Sequence, residues 1–147
     1  MALKFSSCLM VCEANICRSP LAQAILASLC PELRVDSAGL SARDKDPADA
    51  IYVEMARDAN LDLTRHQSKR VTRDLLNESD LILIMTPEQK GRLTQRYPES
   101  SGRVMLLGHW MNDRTTISDP HKKSREAYQQ VFDQIRAACN GWAEKIR

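Results

Sequence analysis

The chain has 147 residues, of which 43% are apolar and 27% are charged. This length predicts a single domain over residues 1–147, and the charged fraction is ordinary for a folded protein. The formal net charge is only +2, which argues against general binding to nucleic acid or to an anionic membrane. The composition therefore leaves room for anion binding at a local site only.

Patterns typical of strands and helices alternate along the whole chain. Apolar runs predict strands over residues 5–11, 34–37, 81–85 and 104–107. Helix signals predict helices from Ser19 and Pro20 to about Cys30, from Asp46 and Pro47 onward, near 72–76, from Pro87 onward, and over 127–146. Short strands separated by helices favour a three-layer α/β sandwich with a four-stranded parallel sheet and right-handed crossovers.

The cysteines and the N-terminus bound the class of protein further. Five cysteines cannot all pair within one chain, and the three histidines form no zinc-finger spacing with them. The first apolar run is short, and Glu13 and Arg18 follow it too soon for a signal peptide or a membrane span. We expect a cytoplasmic protein with reduced thiols, no metal and no cofactor, and we expect Cys8, Cys30 and Cys139 to be inert core residues.

The segment between the first predicted strand and the first predicted helix carries the chemistry. Its residues are Cys12, Glu13, Ala14, Asn15, Ile16, Cys17, Arg18 and Ser19. Such a turn points backbone N–H groups and a helix N-terminus at one spot, which favours an anion of phosphate size. These groups and Arg18 favour a thiolate at Cys12, and the Arg18 fork can donate to two phosphate oxygens. Asn15 tolerates a positive φ, and Ser19 can cap the helix, donate to the cysteine sulfur, or do both.

The pattern Cys-x5-Arg-Ser between a strand and a helix resembles the low-molecular-weight protein tyrosine phosphatases, and the resemblance covers essentially the whole chain. Residues 37–39 look like the Ser-Ala-Gly segment of that family, and His66 falls where the family has a histidine that orders the phosphate loop. Asp119 and Pro120 look like its late Asp-Pro. The Gly-His-Trp at 108–110 and the Lys-Ser-Arg at 123–125 look most like the bacterial branch associated with exopolysaccharide and capsule export.

The resemblance implies a metal-free hydrolysis in two steps. Cys12 would attack the phosphorus of phosphotyrosine while the loop and Arg18 stabilise the charge, and Asp119 would serve as general acid and then as base. Ser37 and His66 would support the loop. The products would be the tyrosine and inorganic phosphate, and the implied substrate is an autophosphorylated bacterial tyrosine kinase of polymer export.

Three departures from the family pattern bear on this interpretation. Ala14 stands where the family usually has glycine, which the loop absorbs if Asn15 takes the left-handed conformation. His121 and Lys122 follow Asp119-Pro120, where aromatic residues often wall the pocket, so the substrate selectivity is open. Thr86 replaces the acidic residue that usually follows the third strand.

Other functions remain open on the sequence. The loop could belong to a phosphopeptide-binding or redox-sensing module that has lost turnover through Ala14. Cys17 is also close enough to Cys12 in the chain for a protective disulfide between them. A thiol-dependent arsenate reductase is disfavoured because the chain has no cysteine between Cys30 and Cys139. A protein-arginine phosphatase is disfavoured because that branch of the family carries threonine in the place of Ile16.

Overall fold

The computed structural model describes residues 5–112 and 116–147. Its sheet has four parallel strands in the order β2-β1-β3-β4. The strands are β1 (Ser7–Cys12), β2 (Arg34–Gly39), β3 (Leu81–Ile84) and β4 (Val104–Leu106). The predicted parallel sheet is therefore confirmed, with strand ends that differ from the predicted ones by one or two residues.

Helices lie on both faces of this sheet. They are α1 (Arg18–Leu29), α2 (Ala50–Asp58), α3 (Arg73–Asn77), α4 (Pro87–Arg96) and α5 (Arg125–Ile146), with short 3₁₀ helices at Pro98–Arg103 and Leu107–Trp110. One core contains Met10 with residues of α1, α2 and α5. A second core contains Val11 with residues of α3 and α4. Because neighbouring residues of β1 face opposite cores, the sheet is the middle layer of the predicted three-layer sandwich.

The apolar stripe of the last predicted helix lies in the larger core, as expected. Its buried members include Tyr128, Phe132, Ile135 and Trp142. The indole of Trp142 donates to the carbonyl oxygen of Leu107 at 2.8 Å, so its one polar atom is satisfied. No helix within residues 5–112 and 116–147 has the length and apolarity that crossing a membrane requires.

Cys8, Cys30 and Cys139 are all buried, as predicted. Burial raises the pKa of each of these thiols above its ordinary value. Their thiolates are therefore disfavoured at neutral pH, which agrees with the expectation that they are inert.

The predicted start of the second helix at Asp46 and Pro47 is wrong. The helix begins three residues later, where the Asp49 side chain caps it by accepting the N–H groups of Ile51 (2.9 Å) and Tyr52 (3.3 Å). Asp46 is held outside the helix by Ser68, which donates its N–H to the Asp46 carbonyl oxygen at 2.9 Å. A tertiary contact with a residue far along the chain thus overrides the local helix signal.

Candidate active site

The segment 12–18 turns from the carboxyl end of β1 into α1. The chain leaves β1 toward β2 on one side, and β3 lies on the other side, so the loop occupies the point where the strand order reverses. This is where open α/β sheets form a crevice for a ligand. The N-terminus of the twelve-residue α1 lies at this point, and the end of a helix dipole favours an anion.

The sulfur of Cys12 lies inside this loop, and the residue is only 2% exposed. Its Sγ is 2.9 Å from the hydroxyl oxygen of Ser19. That hydroxyl oxygen also accepts a hydrogen bond from the Asn15 amide nitrogen at 2.8 Å. Ser19 can therefore direct its hydroxyl hydrogen at the sulfur, where it stabilises a thiolate. The helix cap is Cys17 without a side-chain hydrogen bond, so of the two roles predicted for Ser19 only the sulfur contact is present.

Asn15 holds the loop in shape. Its φ is +57°, a conformation that asparagine adopts more readily than most residues. Its amide nitrogen donates to the hydroxyl oxygens of Ser19 and Ser37, and its Oδ1 accepts the N–H of Lys69 at 3.0 Å. Ala14 is not among the residues with positive φ. The left-handed turn is therefore taken by Asn15, and Ala14 replaces the family's glycine without that backbone strain.

Ser37 and His66 both contact Asn15. The Ser37 hydroxyl accepts a hydrogen bond from the Asn15 amide nitrogen at 2.9 Å and donates one to the Gln23 side-chain oxygen at 2.6 Å. The Nε2 of His66 lies 2.6 Å from the carbonyl oxygen of Asn15. Because a carbonyl oxygen only accepts, that ring nitrogen carries the hydrogen. Burial lowers the pKa of His66, against the opposing effect of this hydrogen bond, so the imidazole is neutral at pH 7.

Arg18 connects the loop to the segment that bears Asp119. Its side chain is 5% exposed, and its Nη1 donates to the carbonyl oxygen of Ile117 at 2.8 Å. Its Nη2 lies 4.0 Å from the Asp119 carboxylate, which is 51% exposed. The N–H of Ile117 in turn donates to the carbonyl oxygen of Met85, the residue that follows β3. The structure therefore brings Asp119, which lies 101 residues after Arg18 in the chain, close to the loop.

Glu13 makes a contact that the sequence analysis missed. Its carboxylate accepts two hydrogen bonds from the Arg92 guanidinium, at 2.6 and 3.1 Å, and one from the Ser41 hydroxyl at 2.5 Å. The hydrogen bond with Arg92 is the main reason that the pKa of Glu13 is lowered. Arg92 lies in α4, and the local sequence around Glu13 or Arg92 does not predict that the two residues form an ion pair.

Cys17 and His121 are two further residues that the sequence singles out. Cys17 is buried, and burial raises the pKa of its thiol. The His121 side chain is half-exposed, with its Nδ1 3.7 Å from a carboxylate oxygen of Asp49. Within residues 5–112 and 116–147, no three His, Cys, Asp or Glu side chains are grouped as a metal site requires.

Comparisons with known proteins match nearly the whole chain. The model of the family described as low molecular weight phosphotyrosine protein phosphatase matches residues 7–147. The chain is 39% identical over 142 residues to the low molecular weight protein-tyrosine-phosphatase Wzb of Escherichia coli K12, an alignment that covers 97% of this chain and 96% of that protein.

Solved structures show the same similarity. Wzb of Vibrio vulnificus in complex with benzylphosphonate has a TM-score of 0.93 and 38% identity, and the match covers 96% of this chain and 99% of that one. An arginine phosphatase, YwlE of Geobacillus stearothermophilus, has a TM-score of 0.88 at 26% identity, covering 95% of this chain and 91% of that one.

Proposed function

Because this chain belongs to the low molecular weight phosphotyrosine protein phosphatase family, we propose that it hydrolyses phosphotyrosine in proteins through a phosphorylated Cys12. The observation that carries the proposal is the buried sulfur of Cys12 inside a loop of backbone N–H groups, 2.9 Å from the Ser19 hydroxyl. A dianionic phosphate in that loop would meet the sulfur, the helix N-terminus and Arg18 together.

In the first step the Cys12 thiolate attacks phosphorus and the bond to the tyrosine oxygen breaks. The loop N–H groups and Arg18 stabilise the equatorial oxygens. The Nη1 of Arg18 already donates to Ile117. Its Nε and Nη2 form the edge that can donate to two phosphate oxygens. Asp119 delivers its proton to the departing phenol oxygen. Its exposed carboxylate and its position beside Arg18 support this role.

In the second step Asp119 takes a proton from water, which attacks the phosphorus and releases inorganic phosphate. The sulfur leaves as a thiolate, and Ser19 is placed to stabilise it. Ser37 and His66 act by holding Asn15, and so the loop, in one conformation.

The test is hydrolysis of p-nitrophenyl phosphate in EDTA by the wild type, Cys12→Ser and the matched control Cys17→Ser. We expect Cys12→Ser to lose all turnover while it still binds inorganic phosphate, because the backbone N–H groups remain. Cys17→Ser should retain phosphate binding and most of the turnover. Activity that survives in Cys12→Ser, or that depends on Mg²⁺, would rule out the proposed mechanism.

The proposed substrate is an autophosphorylated bacterial tyrosine kinase of exopolysaccharide export, met in the cytoplasm. The resemblance of residues 108–110 and 123–125 to the exopolysaccharide branch supports the substrate, and the free thiols of all five cysteines support the compartment. His121, Lys122 and Lys123 lie next to Asp119 and offer positive charge to clustered phosphotyrosines. We therefore expect a higher kcat/KM for acidic than for neutral phosphotyrosine peptides, and the difference should shrink with salt.

Peptide kinetics separate this substrate from the alternatives. Matched acidic and neutral phosphotyrosine peptides, measured at low and high ionic strength, should differ at low salt only. Equal kcat/KM at both salt concentrations would remove the basis for the kinase substrate and leave the phosphatase chemistry intact. Phosphoarginine turnover faster than phosphotyrosine turnover would instead place the chain with the arginine phosphatases, whose similarity to it is lower than that of the tyrosine phosphatases.

A further inference from the structure

The turn after Asp119 lies beside the carboxylate of Asp49, a residue outside both the turn and the segment 12–18. The turn is closed by the N–H of Lys123, which donates to the carbonyl oxygen of Pro120 at 2.9 Å, and Lys122 has a φ of +63°. Within it, the N–H of His121 donates to Asp119 Oδ1 at 3.0 Å. The orientation of the Asp119 carboxylate therefore depends on where this turn is held.

Two contacts of the Asp49 carboxylate connect the turn, the start of α2 and α5. The Tyr128 hydroxyl donates to Asp49 Oδ2 at 2.9 Å. The Nδ1 of His121 lies 3.7 Å from the same carboxylate oxygen. Burial and the Asp49 hydrogen bond raise the pKa of Tyr128 to about 12, and a backbone hydrogen bond from Lys122 acts on it in the opposite direction. The phenol thus keeps the hydrogen that it donates to Asp49.

Asp49 also contacts the phosphate loop. Its backbone N–H donates to the carbonyl oxygen of Ile16 at 2.7 Å. Its Oδ1 caps α2, and its Oδ2 is the oxygen that faces Tyr128 and His121. The Asp49 side chain is only 10% exposed, so its oxygens find their hydrogen-bond partners in the protein rather than in water. A helix cap alone needs one of the two oxygens, and the second faces α5 and the turn.

We propose that Asp49, acting through Tyr128 and His121, is a positioning residue that fixes the Asp119 turn relative to the phosphate loop. It rests on the proposed function, since Asp119 has a leaving group to protonate only if an aryl phosphate is cleaved. Neither Asp49 nor Tyr128 takes part in bond making. Their effect is on where the proton donor sits, to which proton transfer is sensitive on the scale of one ångström.

The test compares Tyr128→Phe with the matched control Tyr52→Phe. The Tyr52 hydroxyl donates to the carbonyl oxygen of Tyr128 at 2.9 Å, and the two rings are 5.1 Å apart, edge to face. Each variant removes one hydroxyl from the same aromatic cluster, but only the Tyr128 hydroxyl contacts Asp49, the carboxylate that faces the Asp119 turn. A purely structural role would affect the two variants alike.

The readout is kcat/KM for phenyl phosphate, a poor leaving group, and for 2,4-dinitrophenyl phosphate, a good one. We expect Tyr128→Phe to lower the first about fivefold, the factor that one net hydrogen bond supplies, and to leave the second nearly unchanged. Asp49→Asn keeps a good helix cap and should shift the ratio in the same direction. Tyr52→Phe should keep the wild-type ratio. The inference would be overturned if the ratio of the two kcat/KM values were the same in all three variants as in the wild type. It would also be overturned if Tyr128→Phe and Tyr52→Phe lost kcat/KM equally.

Amide hydrogen exchange tests the anchor without catalysis. Exchange in residues 119–123 should be faster in Tyr128→Phe than in the wild type and unchanged in Tyr52→Phe. If the wild type hydrolyses no aryl phosphate, the proposed function fails, and exchange still decides whether Asp49 and Tyr128 hold the turn. Unchanged exchange in Tyr128→Phe would overturn the inference on its own.

Discussion

Gly39, the last residue of β2, is the position where adding one methyl group should damage the phosphate loop most directly. A Cβ at Gly39 would lie 2.7 Å from the carbonyl oxygen of Glu13 and 2.9 Å from both the backbone nitrogen of Asn15 and the Cβ of Ala42. Carbon atoms in good contact are about 3.5 Å or more apart. Two of the three atoms are backbone atoms of the loop, so the clash cannot be relieved by a side-chain rotation.

The expected free-energy change for Gly39→Ala is the balance of two effects. No described glycine has a positive φ, so alanine can adopt this backbone conformation and reduces the entropy of the unfolded chain, which stabilises by about 0.4–1 kcal/mol. Overpacking of a filled site costs about 1–3 kcal/mol. The clash is the larger effect, and we expect Gly39→Ala to lower the free energy of unfolding by about 1–2 kcal/mol.

The clash should also lower the phosphatase activity, because the N–H of Asn15 belongs to the loop that is proposed to bind phosphate. Displacing this group by a fraction of an ångström should reduce kcat/KM for p-nitrophenyl phosphate by about tenfold or more. The assay pairs urea unfolding with steady-state kinetics. The matched control is Gly91→Ala in α4, where a Cβ meets nothing within 4 Å and alanine should stabilise the helix by about 1 kcal/mol. Wild-type stability and kcat/KM in Gly39→Ala would refute the reasoning.

Three further predictions concern the residues around the loop. Arg92→Ala leaves the Glu13 carboxylate without its neutralising partner, so KM for aryl phosphates should rise about threefold at low salt. Adding Glu13→Gln to the Arg92→Ala variant should restore the wild-type KM. If KM is not restored, the pair acts through packing rather than through charge. Mild peroxide should give a Cys12–Cys17 disulfide that dithiothreitol reduces again. A mass spectrum that shows Cys12 as sulfonic acid and Cys17 unmodified would contradict the predicted disulfide. Because burial lowers the pKa of His66 below its ordinary value of 6.5, its contribution to stability is present above pH 6.5 and is lost as the pH falls through the folded pKa. Urea unfolding of His66→Gln should accordingly depend less on pH below 6.5 than that of the wild type, and equal slopes would disprove the assignment.

The local sequence determined the layers of the fold and the position of the loop. Alternating apolar runs and helix signals predict the four parallel strands because strands buried on both faces read as continuous apolar segments. The cap residues Thr72 and Thr86 and the proline at the start of α4 lie where the sequence predicts these helices to begin. The loop is readable for the same reason, since its conformation depends on residues that are neighbours in the chain, such as Asn15 with its left-handed φ.

What only the tertiary structure decided are the contacts between segments far apart in the chain. Arg92 lies 79 residues from Glu13, and Tyr128 lies 79 residues from Asp49. The true start of α2 depends in the same way on Ser68, which holds Asp46 outside the helix. Local propensity carries no information on such pairs, because they form only when the parallel sheet brings its carboxyl ends together at one edge. The sequence thus determined which residues make the proposed phosphate-binding loop, and the packing of α2, α4 and α5 decided which charges and hydroxyl groups hold it in place.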